Sequence, residues 1–164
     1  MSAPTTAETN APDMTDAEVE AFLKTLIGPL GEPDTMPVEL LAVRKMALCV
    51  EDPDPIHFDE AAAKARGYRG IVAPWPLIWL YYFNCSEDLH GDFPFGKATV
   101  HGQDDYTFHE PMIVGDVITM TTAVTDVQLK RGRSGRLGII VQERRLTNQR
   151  GELCATLRTT LVRR

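Results

Sequence analysis

The sequence predicts an α+β fold in which one antiparallel sheet wraps a buried central helix, and three patterns carry that expectation. Residues 71–83 form an almost unbroken apolar run; beyond about residue 97 apolar and polar residues alternate; and Gly, Asn and Ser clusters separate the alternating stretches. With 164 residues and 43% apolar content, the chain supports one sizeable core and leaves no room for a second domain.

The elements follow in order. Residues 1–13, rich in Ala, Thr and Pro with little to bury, predict a disordered tail ahead of a single domain over 14–164. Thr15-Asp16-Ala17-Glu18 has the form of a capping box, in which a Thr hydroxyl and a Glu carboxylate each satisfy a backbone N–H at a helix start. Val19, Phe22, Leu23, Leu26 and Ile27 follow at helical spacing, so an amphipathic helix is expected over 14–28, its stripe packing on the domain or on a partner chain. A second helix is expected over 37–49, with Pro37 in its first turn and Leu40, Val43, Ala47 and Val50 on one face. The 71–83 run is far short of a membrane span and reads as a helix begun at Pro74 or Pro76 and buried on most sides. Strands are expected over 117–129, 137–146 and 153–162, joined by tight connections as an antiparallel meander. A helix wrapped by such a sheet is the hotdog fold.

Composition removes several function classes. Seventeen basic against 23 acidic residues give a net charge of −6, which argues against nucleic acid or an anionic membrane as the main partner. Cys49, Cys85 and Cys154 are odd in number and widely spaced among apolar neighbours, so they read as reduced core residues of a cytoplasmic protein. No C-x-x-C or His cluster offers a metal site. The N-terminus lacks a basic region followed by an apolar one, and no apolar run reaches transmembrane length.

The chemistry concentrates in Glu51-Asp52-Pro53-Asp54-Pro55-Ile56-His57. Pro53 and Pro55 fix their own φ and push Asp52 and Asp54 towards extended conformations, so a stiff loop carries a carboxylate and an imidazole five residues apart. Such a pair can hold one water or hydroxyl and move its protons. The plain alternative is an Asx-turn with His57 as a polar loop residue. The flanks favour chemistry: residues 42–50 precede the pair, and Phe58 to Gly67 then Ile71-Val72-Ala73-Pro74 follow it.

This arrangement of a short helix, D-x-[ND]-P-[IL]-H, an Ala-rich helix with a Gly stop and I-V-A-P resembles the MaoC-like (R)-specific enoyl-CoA hydratase and dehydratase family, in its FAS1-like, MaoC N-terminal dehydratase branch. Val100-His101-Gly102-Gln103, Phe108-His109-Glu110-Pro111, Val114-Gly115-Asp116 and Asn148-Gln149-Arg150-Gly151-Glu152-Leu153 agree with that branch, so the resemblance covers about residues 20–164. It implies the hotdog fold and a hydro-lyase acting on an acyl thioester, with Asp52 and His57 binding the water that adds across an enoyl double bond with (R) stereochemistry. No cofactor is implied beyond coenzyme A or an acyl carrier protein as the thioester's carrier.

Backbone N–H groups at the start of the central helix would polarise the thioester carbonyl. A Gly amide does so in well-known members; here Ala73-Pro74-Trp75-Pro76 leaves only the Ala73 and Trp75 amides, with Trp75 the better placed. Glu51 stands where Gly is common and Asp54 where Asn is common; a carboxylate beside Asp52 would raise the pKa of one of them if both were buried. Trp75, Trp79, Tyr81 and Tyr82 line an acyl pocket or form plain core. His101 and Gly102 approach the site or serve the strand, and Arg131, Arg133 and Arg136 meet the carrier's phosphates or acidic face, or are a solvated loop. Two further readings stand: a half-catalytic or non-catalytic subunit of a heterodimer, and an acyl thioesterase, which gives no reason for the proline-locked loop. A hotdog sheet leaves a face and an edge, so a homodimer or heterodimer is expected.

Overall fold

The computed structural model describes residues 14–84, 93–96, 98–133 and 135–164, of Phe83 and Asn84 the backbone alone. The expected tail, Cys85 and His90 lie outside the described residues. Helix α1 (Asp16–Thr25) starts at the capping box: Thr15 accepts from the Glu18 N–H, and Glu18 accepts from the Thr15 N–H at 2.7 Å. Two short strands follow, β1 (Gly28–Pro29) and β2 (Asp34–Pro37), then α2 (Leu40–Cys49), a 3-10 turn over Pro55–His57 and α3 (Glu60–Ala65). A second 3-10 turn over Trp75–Leu77 leads into α4 (Ile78–Asn84). Four long strands complete the chain: β3 (Thr99–Phe108), β4 (Val117–Gly132), β5 (Gly135–Asn148) and β6 (Leu153–Arg163).

All strand pairs are antiparallel, in the order β1-β4-β5-β6-β3 with β2 also on β4. The inner face of this hotdog sheet is covered in two halves. Leu77, Ile78 and Tyr81 of the central helix segment pack with Val43, Ile118, Met120 and Leu146. Val19 and Leu23 of α1 pack with Phe95, Val124, Ile140 and Leu161, so the α1 stripe is spent on its own domain.

Two points differ from expectation, the start of α2 and the enclosure of the central helix. Pro37 ends a strand, pairing with Val117, instead of opening α2; its missing N–H costs nothing on a sheet edge. Residues 71–74 are extended, with Val72 bridged to Ile113, and the helical segment begins at the prolines as expected: Pro74 caps a 3-10 turn that holds Pro76 and runs on into α4 at Ile78. The segment is less enclosed than its composition suggests: Trp75 is 57% and Leu80 42% exposed. No helix among the described residues is long and apolar enough to cross a membrane.

Candidate active site

Asp52 is delivered straight off the end of α2. The Glu51 N–H donates to the Leu48 carbonyl at 3.3 Å and the Asp52 N–H to Ala47 at 2.9 Å, the paired bonds that close a helix when the intervening residue is left-handed. Glu51 takes that conformation at φ 55°, the one non-glycine to do so among the described residues. The position that commonly holds Gly thus keeps its glycine-like backbone while carrying a larger side chain.

The loop beyond is stiffened by its own carboxylates. The Asp54 N–H donates to Asp52 Oδ1 at 3.1 Å, and Asp54 in turn accepts from the Ile56 N–H at 3.2 Å, capping the 3-10 turn that carries His57. The other Asp54 oxygen receives Arg66 Nη1 at 2.6 Å, and that bond first, then the Ile56 N–H, holds its carboxyl below the usual range. Asp54 is therefore committed to Arg66 and the turn, and the crowding expected between two buried carboxylates does not arise.

His57 is buried, with Nδ1 2.7 Å from the Val72 carbonyl and Nε2 3.2 Å from Asp52 Oδ2. A carbonyl only accepts, so Nδ1 carries a hydrogen, and the contact with Asp52 closes only with a further proton between the two groups. Val72 is itself fixed by its N–H bond to Ile56 at 3.0 Å. The Asp52 side chain is 40% exposed against 6% for His57, so the pair is reached from the Asp52 side. There it faces an open groove of about 460 Å³ lined by Val50, Glu51, Asp52, Pro53, Trp75 and Pro76.

Of the two candidate carbonyl-binding amides, Ala73 is engaged: its N–H donates to Met112 at 2.8 Å because residues 71–74 run extended along 112–114. The Trp75 N–H, at the start of the 3-10 turn, has no acceptor among the described residues. The Trp75 ring meets Tyr106 and Phe108 of β3 edge-on at 6.5 and 5.9 Å, and Trp79 meets Tyr106 and Tyr82 at 5.7 and 5.6 Å. Behind Trp75 lies a smaller cavity of about 280 Å³ bordered by Tyr68, Phe108, Met112 and Ala155. The sequence reading did not place Tyr106 or Phe108 beside the site; their i, i+2 spacing on one strand was the available signal.

His101 and Gly102 lie on β3, where His101 Nε2 is 3.2 Å from Asp104 Oδ2 and Gly102 occupies a bulge against β6. A Cβ on Gly102 would stand 3.0 Å from the Thr160 carbonyl, so glycine serves strand approach there. Among the described residues, no hydrogen bond or ion pair joins either to Asp52 or His57. Arg131 and Arg136 both pair with Asp16, at 2.5 and 2.8 Å, and Arg136 also donates to the Met14 carbonyl. These two arginines tie the β4–β5 hairpin to α1, while Arg133 is exposed at its tip.

The polar residues clustered around Asp116 entered the sequence reading only as part of the family resemblance. Asp116 is 2% exposed and accepts from Arg69 at 3.0 Å, Arg150 at 3.0 Å, Gln149 at 3.2 Å and the Ile113 N–H at 2.9 Å. Burial pushes its carboxyl up, but the bonds from Arg69, Arg150, Ile113 and Gln149 outweigh it and hold the group at about 2. Among the described residues no three His, Cys, Asp or Glu side chains converge on a metal-sized point.

Residues 25–157 match the family described as FAS1-like, dehydratase domain region. A UPF0336 protein of Saccharopolyspora erythraea is 29% identical over 125 residues, covering 74% of this chain and 78% of its own. One from Mycobacterium tuberculosis is 28% identical over 135 residues, covering 80% and 83%. A solved MaoC-like dehydratase superposes with a TM-score of 0.70 at 26% identity over 86% of this chain, which spans 43% of that longer one. The HadBC (3R-hydroxyacyl-ACP dehydratase) complex from Mycobacterium tuberculosis gives 0.63 at 26% identity, over 83% of this chain and 95% of that one. At 22% identity, the ChsH1-ChsH2 complex from the same organism shares the fold with a TM-score of 0.72, over 90% and 96%.

Proposed function

We propose, since the chain belongs to the FAS1-like dehydratase region family, that it is a hydro-lyase: it adds water across the double bond of a 2-enoyl thioester, or removes it from a 3-hydroxyacyl thioester, with (R) stereochemistry. The observation that carries this reading is the imidazole locked by Val72, with Nε2 3.2 Å from a carboxylate that opens on a groove. A water held between Asp52 and His57 Nε2 adds to C3 as its proton passes to the pair, and a proton from the pair reaches C2. Negative charge gathers meanwhile on the thioester oxygen, and the Trp75 N–H is the donor in position to meet it. Holding the water against a fixed alkene removes much of the entropic cost. The carrier is coenzyme A or an acyl carrier protein. The free thiols of Cys154, buried as expected, and of Cys49, exposed rather than in the core, support a reducing, cytoplasmic setting.

Loss of enoyl absorbance on adding the protein to crotonyl-CoA and longer enoyl-CoA esters tests the reaction. The rate falls about 10²- to 10⁴-fold in Asp52→Asn if the reading holds; equal rates in wild type and variant defeat it.

A specific observation favours a second chain at the site. β3 ends the sheet with no strand on its outer edge among the described residues, and Phe108 and Trp75 are 48% and 57% exposed beside it. An unpaired ten-residue edge flanked by aromatics is a surface for another hotdog domain, identical or related. Seated there, it would wall the groove that Trp75 borders. Light scattering on the purified chain distinguishes a dimer from a monomer awaiting a different partner.

A further inference from the structure

Between its two apolar halves, the inner face of the sheet carries a polar band. Cross-strand register sets Val124, Gln142, Thr159 and Asp104 in one row, and Thr122, Arg144, Leu157 and Tyr106 in the next. Gln142, Arg144 and Thr159 are wholly buried, and the Asp104 side chain is 11% exposed. Along β5, Ile140 on one side of the band belongs to the α1 core and Leu146 on the other to the α4 core.

The band is short of partners. Arg144 Nη2 reaches Gln142 Oε1 at 3.3 Å and the guanidinium lies 4.6 Å over the Tyr82 ring. Among the described residues, Arg144 Nε and Nη1, Gln142 Nε2, Thr159 Oγ1 and Asp104 Oδ1 have no hydrogen-bond partner. Five of the six such buried side-chain atoms among the described residues thus fall in one place, which marks a site rather than scattered imperfections.

Charge narrows what is missing. Asp104 gives its other oxygen to Tyr106 at 3.3 Å and His101 at 3.2 Å, and no carboxylate pairs with Arg144 among the described residues. Asp104 in the next row supplies a negative charge nearby but no bond to the guanidinium; the donors left open on Arg144, with Gln142 Nε2 beside them, suit a planar two-oxygen anion that bonds them directly. A line of ring contacts joins the wall of the Asp52 groove to the band: Trp75 meets Tyr106, Tyr106 meets Trp79, Trp79 meets Tyr82, and Tyr82 lies under Arg144, so these side chains would have to part for a chain to enter.

We infer that the band receives the far end of the acyl chain and that this end carries a carboxylate, so the substrate class is a carboxyacyl thioester. This rests on the Asp52 groove being a thioester site.

Calorimetric titration of the full chain with glutaryl-, adipyl- and pimelyl-CoA, each against the length-matched valeryl-, hexanoyl- or heptanoyl-CoA, tests it without turnover. One diacid ester should bind on the order of tenfold more tightly than its monoacid counterpart, the ratio falling towards one in Arg144→Met. Equal affinities across every pair, or tighter monoacid binding, would mean that the band holds ordered water only; the inference then falls while the thioester reading stands. Binding of no ester at all removes the inference together with coenzyme A as the carrier. The wild-type comparison decides the matter even where Arg144→Met does not fold.

Discussion

Asp116 and Asp52 are both loop carboxylates held by backbone N–H groups and cationic or titratable side chains, yet they are built for opposite ends. Asp116 accepts from two arginines, a glutamine and a backbone amide, and water cannot reach it. Asp52 accepts from one backbone amide and meets one imidazole, with the rest of its surface open to a groove. A carboxylate whose lone pairs are all spent clamps the chain; one with an oxygen to spare beside a ring that can carry a proton can exchange it. The contrast is what makes Asp52 the candidate for chemistry and Asp116 a candidate for stability.

The largest expected effect separates the two sites by activity. His57→Gln should lower hydration of enoyl-CoA about 10²- to 10⁴-fold with little change in the urea midpoint, whereas Asp116→Asn should act chiefly on stability. For Asp116→Asn the expected loss is about 3 kcal/mol, because Arg69 and Arg150 are left partly buried against a neutral group; their partial exposure keeps the figure at the low end. Urea unfolding measures it, and an unchanged midpoint would remove Asp116 from its clamping role.

Acid sharpens the same comparison. The Asp116 carboxyl sits at about 2 in the fold against an ordinary 3.8, so its stabilisation is complete above about pH 5 and is lost as pH falls through 3.8 towards 2. That loss amounts to about 2 kcal/mol and should be absent in Asp116→Asn when unfolding is followed across that range. The smallest effect concerns the helix end that presents Asp52. Glu51→Gly should raise stability by about 0.5–1 kcal/mol, since glycine takes the left-handed conformation without the Cβ penalty, less its greater freedom when unfolded. A fall in thermal midpoint would show instead that the Glu51 side chain holds the loop.

Where a pattern is local, it was legible in the chain. Thr15 and Glu18 close a capping box three residues apart, and the loop around Asp54 is stiffened by its prolines and by carboxylate–amide bonds that reach two residues. Three of the four long strands, β4, β5 and β6, were readable because turn clusters bracket them. Pro37 was misread because a proline suits a helix start and a strand edge equally, and only pairing with Val117 decides between them. The Ala73 amide looked available because its acceptor, Met112, is far away in sequence.

The polar band shows the limit most sharply. In Leu137-Gly138-Ile139-Ile140-Val141-Gln142-Glu143-Arg144, the apolar alternation favours turning Leu137, Ile139 and Val141 inward, yet Gly138, Ile140, Gln142 and Arg144 are the buried set. By itself the sequence determined the strand, the stiff Asp52–His57 loop and the family to which they belong. Which pleat faces the helices, which amide stays free and where Arg144 lies were decided by the tertiary structure, because a strand offers two faces at equal local cost and only pairing with β4 and β6 chooses between them.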